Sequence, residues 1–239
     1  MRLFKGIKAF FMPERCPLCG KVNFTGEPCL ECEARLSECM IGDGACTKCG
    51  NEKKNCDCDR INCLFTGISA PFYNKGIAQE GLYRYKFEYF PNAAEYFGKA
   101  AALSFKKRFA DVKIDCVCFV PSTKRALKTK YYDYVSLLAK RVAKELKVPL
   151  YKDALKKVKD NSKQHGLKLS DRQQNIKGVF KANGDFTGKT VLVADDIKTS
   201  GYTLSECSKQ LRLAGAKEVY AVSVLITSNS SCKSEENNV

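Results

Sequence analysis

Two adjacent carboxylates, Asp195 and Asp196, precede a run of small and hydroxyl-bearing residues: Thr199, Ser200, Gly201, Tyr202 and Thr203. Paired acids cannot hold phosphate, but they can accept hydrogen bonds from sugar hydroxyls or coordinate a hard cation such as Mg²⁺. A turn rich in Thr, Ser and Gly at the start of a helix offers unpaired backbone N–H groups and hydroxyls to an anion. A phosphate cradle beside a diol or metal site is what a sugar phosphate requires. An ordinary strand–turn–helix, in which Asp and Thr only cap the helix, needs neither two acids nor three hydroxyls.

The flanking segments supply the elements that must hold these groups. Val191, Leu192, Val193 and Ala194 read as a buried strand of a parallel sheet, ending where the acids begin. Residues 204–213 read as a helix that stops near Gly215. A second buried strand, from Cys116 to Pro121, leads into a basic loop. There Lys124, Arg125, Lys128 and Lys130 are candidates to neutralise a diphosphate. Val135, Leu138, Val142 and Leu146 are spaced as one face of a helix, and residues 218–226 form another apolar strand. Repeated strand–loop–helix units predict an α/β fold, a parallel sheet flanked by helices with ligand loops at the strand carboxyl ends.

Residues 164–180 are polar and lack core periodicity. They read as a loop closing on a ligand, with Arg172 as a phosphate clamp. His165, the single histidine, reads as solvated. Gly188, Lys189 and Thr190 imitate the end of a P-loop. That motif, however, needs Gly at 183, where Asn183 stands, and must open a helix rather than a strand.

Different chemistry occupies the first quarter of the chain. Eight cysteines form four close pairs: Cys16/Cys19, Cys29/Cys32, Cys46/Cys49 and Cys56/Cys58. Two such knuckles complete a tetrahedral Cys₄ site, so the eight predict structural Zn²⁺ in a double zinc ribbon, with the number of ions left open by the spacing. The spacing leaves open whether neighbouring or alternating pairs share an ion. No signal peptide is legible in residues 1–15, so a cytoplasmic chain with zinc is expected rather than a disulfide framework. Few large aliphatics lie in this region, so metal is expected to supply its folding energy. Cys39 and Cys63 are left to pack.

Length and charge set outer bounds. With 239 residues, there is room for a ribbon module (1–64), one α/β domain (65–228) and a polar tail (229–239). No apolar run is long enough for a transmembrane helix. The formal charge of +15 falls to about +11 if two zinc ions sit on eight thiolates. Residues 99–159 carry 17 Lys/Arg against 5 Asp/Glu, interleaved with Phe105, Phe109, Tyr131, Tyr132, Tyr134 and Tyr151. Such a surface suits a polyphosphate or a single nucleic-acid strand, and equally a solvated basic face over buried rings.

The run 191–203 resembles the phosphoribosyl-diphosphate (PRPP) loop of type I phosphoribosyltransferases, with Ala194 where a larger apolar residue is common. That resemblance implies Asp195 and Asp196 on the ribose hydroxyls, residues 199–203 on the 5-phosphate, and Mg²⁺ bound with PRPP. Across nearly its whole length the chain resembles the ComF family. The likeness rests on the cysteine-knuckle start, the Val120-Pro121 strand end with its basic loop, and the Gln164-to-Phe180 segment, together with the PRPP loop. The family implies a zinc-ribbon head on a type I phosphoribosyltransferase domain. It also implies a link to natural transformation, with single-stranded DNA and DNA-uptake proteins as partners. One departure stands out: Lys130-Tyr131-Tyr132-Asp133-Tyr134 replaces the common Arg-Gly-(Phe/Tyr)-Asn-Gln. The expected function is PRPP–Mg²⁺ binding with transfer to an unidentified acceptor. The alternative is a non-catalytic adaptor for single-stranded DNA that keeps the PRPP-binding fold.

Overall fold

The structure is a computed structural model that describes residues 14–56, 58, 63–88, 90–122, 132–159 and 175–228. The expected basic-loop residues Lys124, Arg125, Lys128 and Lys130, together with Tyr131, His165, Arg172 and the tail, lie outside the described residues.

Among the described residues the cysteine-rich head contains one short α-helix, α1 (Leu30–Leu36). The strands β1 (Gly67–Ser69) and β2 (Phe72–Tyr73) follow, then the helices α2 (Gly76–Phe87) and α3 (Ala93–Arg108). Next come β3 (Cys116–Phe119), α4 (Tyr134–Leu146), β4 (Leu155–Lys157) and β5 (Phe180–Ala182). The last described elements are β6 (Thr190–Lys198), α5 (Tyr202–Leu213) and β7 (Glu218–Ile226). The main sheet has the order β1–β7–β6–β3, with β2 also on β7, and every pair is parallel. β4 and β5 form a separate antiparallel pair.

Two helical layers cover the sheet, as expected for strands apolar on both faces. Val191 and Val193 face Leu204, Cys207 and Leu211 of α5. Leu192 and Ala194 face Phe105 of α3 and Val135, Ala139 and Val142 of α4. The α4 helix begins at Tyr134, where Asp133 accepts a hydrogen bond from Ser136 N (3.2 Å) and caps it.

Two expectations are corrected here. β6 does not stop at the acids. It continues through Lys198 because β7 keeps pairing with it, Asp195 opposite Ser223 and Lys198 opposite Ile226. The head also does not lack a core. Cys16, Leu18, Cys32, Leu36 and Cys39 pack in one cluster with Phe72, Ile77, Leu82, Tyr85, Phe97 and Leu225. Large apolar residues missing from the head are thus supplied by α2, α3 and β7.

Among the described residues no helix is long and apolar enough to cross a membrane.

Candidate functional site

The sheet's connectivity makes a crevice beside the acids. From β3 the chain leaves through α4 and returns at Leu150, which bridges the free edge of β3 at Val117. From β6 it leaves in the other direction, through α5 to β7. Loops that diverge at neighbouring strand ends leave the crevice in which open α/β sheets bind ligands. The last β3–β6 pair is Phe119 with Ala194, so Asp195 is the first β6 residue beyond it.

Strand alternation sends the two acids to opposite faces. Asp196 meets Lys86 of α2, with Nζ 2.8 Å from Oδ2 and side chains 13% and 11% exposed. The Tyr134 ring lies against the same cation, its centroid 5.1 Å from Lys86 Nζ. Asp195 folds back along the strand and accepts the backbone N–H of Asp196 at 2.9 Å. Burial pushes the Asp195 carboxyl well above the usual carboxylate range, and the neighbouring Asp196 adds to the rise. The Asp196 N–H and Lys86 oppose it. Burial raises the Tyr134 phenol as well, followed by the charges of Asp196 and Asp195.

The turn that follows the acids bends at Gly201. It adopts φ +82°, a left-handed conformation that favours glycine, and stands at the N-cap of α5 without any side chain capping the helix. The N–H groups of the first turn therefore face outward, where an anion is stabilised. α5 starts at Tyr202, earlier than expected, so Tyr202 and Thr203 belong to its first turn while Thr199, Ser200 and Gly201 form the bend. Lys198 is buried at 1% exposure. Its Cε would lie 3.4 Å from a methyl placed on Gly201, so a cation sits under the bend.

The structure brings Asp195, Asp196 and residues 199–203 together on one strand–bend–helix. It adds three residues that sequence reasoning missed. Lys86 and Tyr134 reach Asp196 from other elements, and Lys198 lay unnoticed between the acids and the turn. At the departure from the family pattern, Asp133 caps α4, Tyr134 covers the Lys86–Asp196 pair, and Tyr132 Oη donates to the carbonyl of Tyr85. Glu206 of α5, 7% exposed, accepts from Gly178 N at 3.0 Å and ties the segment before β5 to the helix.

The cysteines assemble as neighbours. Cys16, Cys19, Cys29 and Cys32 form one group and Cys46, Cys49, Cys56 and Cys58 the other, with the sulfurs of each group all within 4.8 Å of one another. Individual gaps are 3.8 Å for Cys19–Cys29, 3.4 Å for Cys46–Cys58 and 3.7 Å for Cys49–Cys56. A tetrahedral zinc with Zn–S of about 2.3 Å has S···S edges of roughly 3.8 Å, so both groups fit that ion. The two knuckles repeat the same turn: Gly20 N donates to Cys16 O at 2.9 Å and Gly50 N to Cys46 O at 2.8 Å, with φ +77° and +79°. Burial works against ionisation of Cys16, yet the backbone N–H groups of Cys19, Cys29 and Leu18 bring its thiol down to about 7. Cys46 is brought to about 7 in the same way, against burial, by the N–H groups of Cys49 and Lys48. Cys39 and Cys63 lie outside both groups and are buried.

A family model described as phosphoribosyl transferase domain matches residues 136–239. Competence protein F of Haemophilus influenzae is 35% identical over 91 residues, covering 37% of this chain and 40% of that protein. The chain thus spans less than half the length of this curated relative. Among solved structures, an adenine phosphoribosyltransferase is 19% identical with a TM-score of 0.41, covering 65% of this chain and 79% of its own. The glutamine PRPP amidotransferase of B. subtilis is 22% identical with a TM-score of 0.39, covering 59% and 30%. The chain thus combines a parallel sheet and two four-cysteine groups with a match to the phosphoribosyl transferase domain over residues 136–239 and a likeness to competence protein F over 91 residues.

Proposed function

We propose that the chain binds PRPP with Mg²⁺ at the carboxyl end of β6 and transfers its phosphoribosyl group to an acceptor. One observation carries this reading: an acid pair at the crevice between β3 and β6 runs directly into a helix whose N-terminus is left uncapped by side chains. Asp195 and Asp196 would hold the ribose hydroxyls, with Lys86 fixing the Asp196 carboxylate in place through their 2.8 Å ion pair. Thr199, Ser200, Gly201, Tyr202 and Thr203 would hold the 5-phosphate over Lys198. The diphosphate would fall to Lys124, Arg125, Lys128, Lys130 and Arg172. Mg²⁺ bound with the substrate supplies charge neutralisation as the diphosphate leaves. Zinc in the head serves as structural support.

The chemistry asked of these side chains is placement. Hydroxyls fixed on carboxylates and a phosphate fixed on amides orient C1 toward the crevice. The test is calorimetric titration with PRPP and Mg²⁺, followed by a diphosphate-release assay across nucleobases. Asp195→Asn with Asp196→Asn should abolish binding. Unchanged affinity in that double variant would remove the proposal.

The name of the relative, competence protein F, supports a role in DNA uptake. In the adaptor reading, single-stranded DNA would lie on the basic face. Much of the described part of that face is engaged elsewhere. Lys99 pairs with Glu27 (3.2 Å), Lys107 pairs with Asp43 (2.6 Å), and Arg108 donates to Ala45 O (2.8 Å). Phe105, at 2% exposure, is core rather than a stacking surface. These contacts favour the sugar-phosphate reading.

A further inference from the structure

A short strap links the second four-cysteine group to the bend beside the acids. Residues 63–66 follow Cys58, the last thiol of that group, and are tied along α5. Leu64 N donates to Ser205 Oγ at 3.3 Å, and Leu64 O accepts from Arg212 Nε at 3.1 Å. Arg212 also reaches Thr66 Oγ1, at 2.9 Å. Between these ties the Phe65 ring, 2% exposed, backs the bend. Its nearest carbons lie 3.8 and 3.9 Å from a methyl placed on Gly201. Ser205 N in turn donates to Gly201 O at 2.9 Å and closes the first turn of α5.

The knuckle of the same group reaches the bend by a second route. Thr47 O accepts the N–H of Ile68 at 2.8 Å. A methyl on Gly50 would run into Ile226 Cδ1, with Ile68 Cγ2 3.4 Å away. Ile226 pairs with Lys198 across β6 and β7, and Thr227 N donates to Lys198 O at 2.9 Å. Phe65, Ile68, Leu204 and Ile226 belong to one buried cluster. The first four-cysteine group is placed differently: Cys16 and Cys32 pack with Leu82 and Tyr85 of α2 and Phe97 of α3. The thiols of the second group join no buried apolar cluster among the described residues. A bound cation, rather than a shared core, then fixes the shape of its knuckles.

We propose that the second four-cysteine group positions the 199–203 bend, so that Zn²⁺ held there regulates anion binding at the start of α5. The inference rests on the sugar-phosphate reading above and adds its regulation. Loss of the metal frees the knuckle from Ile68 and Ile226, slackens the strap on α5 and lets the N–H groups of the first turn fray. The coupling is reciprocal: whatever the metal does for anion binding, the anion does for metal binding.

Hydrogen exchange read by mass spectrometry on the full chain tests the positioning without any ligand. Cys46→Ser should speed exchange across residues 199–206, whereas Cys16→Ser should speed it in α2 and leave 199–206 unchanged. By calorimetry, Cys46→Ser should bind ribose 5-phosphate on the order of tenfold more weakly than the wild type. In the wild type, ribose 5-phosphate should tighten zinc against a competing chelator by the same factor. Ser205→Ala with Arg212→Ala keeps all eight thiols and loosens the strap, so that tightening should disappear. This last arm stands even if Cys46→Ser does not fold. Equal acceleration of 199–206 in the two cysteine variants overturns the coupling while leaving the sugar-phosphate site standing. So does equal ribose 5-phosphate affinity in Cys46→Ser, or an undiminished tightening in the strap variant. Failure of the wild type to bind ribose 5-phosphate overturns both readings.

Discussion

Lys86 Nζ and Asp196 Oδ2 lie 2.8 Å apart, joining the end of α2 to the acid pair of β6. The contact is shielded by Tyr134 and sits where the sheet opens between β3 and β6. It makes the acid ledge a tertiary object rather than a property of one strand.

Removing one partner of a largely buried ion pair leaves the other charge stranded, at a cost of about 2–4 kcal/mol. Lys86→Met should lose that much stability in urea denaturation. Adding Asp196→Asn should restore part of it, because the second change removes the orphaned charge. Additive effects in this double-mutant cycle would show that the pair is not coupled. Lys86→Arg should keep most of the stability.

Asp195 has the opposite character. Its folded-state carboxyl lies well above 3.8 because of burial, then Asp196, so the folded protein binds a proton that the unfolded chain releases. Stability contributed by that proton is present at low pH and is lost as pH rises toward the folded value. Asp195→Asn should therefore melt higher than the wild type at pH 7, and the gap should shrink as pH falls toward 4. A gap that is constant with pH refutes this. Stability gained by removing a site residue is the usual sign of a strained functional position.

Gly201 combines φ +82° with Lys198 and Phe65 close behind it. Gly201→Ala should cost about 1 kcal/mol from the left-handed backbone alone. It should also weaken ribose 5-phosphate binding at least roughly tenfold, by turning N–H groups of the α5 first turn away from the anion. Calorimetry beside thermal melting separates the two effects.

Zinc content should be two ions per chain, read by a colorimetric release assay. Cys39→Ala and Cys63→Ala should leave it at two. Cys16→Ser and Cys46→Ser should each lower it to one, with the larger fall in melting temperature for Cys16→Ser. Cys16 and Cys32 belong to the cluster that also holds Phe72, Leu82, Tyr85 and Phe97, whereas the second four-cysteine group joins none of the buried apolar clusters among the described residues. Equal falls would show that the shared core does not depend on the first ion.

Local pattern made much of this legible. The strand over 218–226 was readable from end to end. The 135–146 helix face and the acid–turn–helix run were also plain, since each depends on neighbours in the chain. Knuckle spacing gave the members of two four-cysteine groups but not their grouping. That grouping is set by how the chain from Gly20 to Pro28 folds back to bring Cys29 beside Cys16, where Cys29 N donates to Cys16 Sγ at 3.4 Å.

What the amino-acid order settled alone is the inventory: paired acids, a turn of small and hydroxyl-bearing residues, eight thiols and strands apolar on both faces. Tertiary structure decided the rest. It extended β6 past the acids by pairing it with β7, gave the head a core drawn from α2 and α3, and set Lys86 and Tyr134 against Asp196. The physical reason is range. Periodicity and caps act over one or two turns, whereas an ion pair between residues 86 and 196 exists only after the sheet has closed and excluded water from both partners.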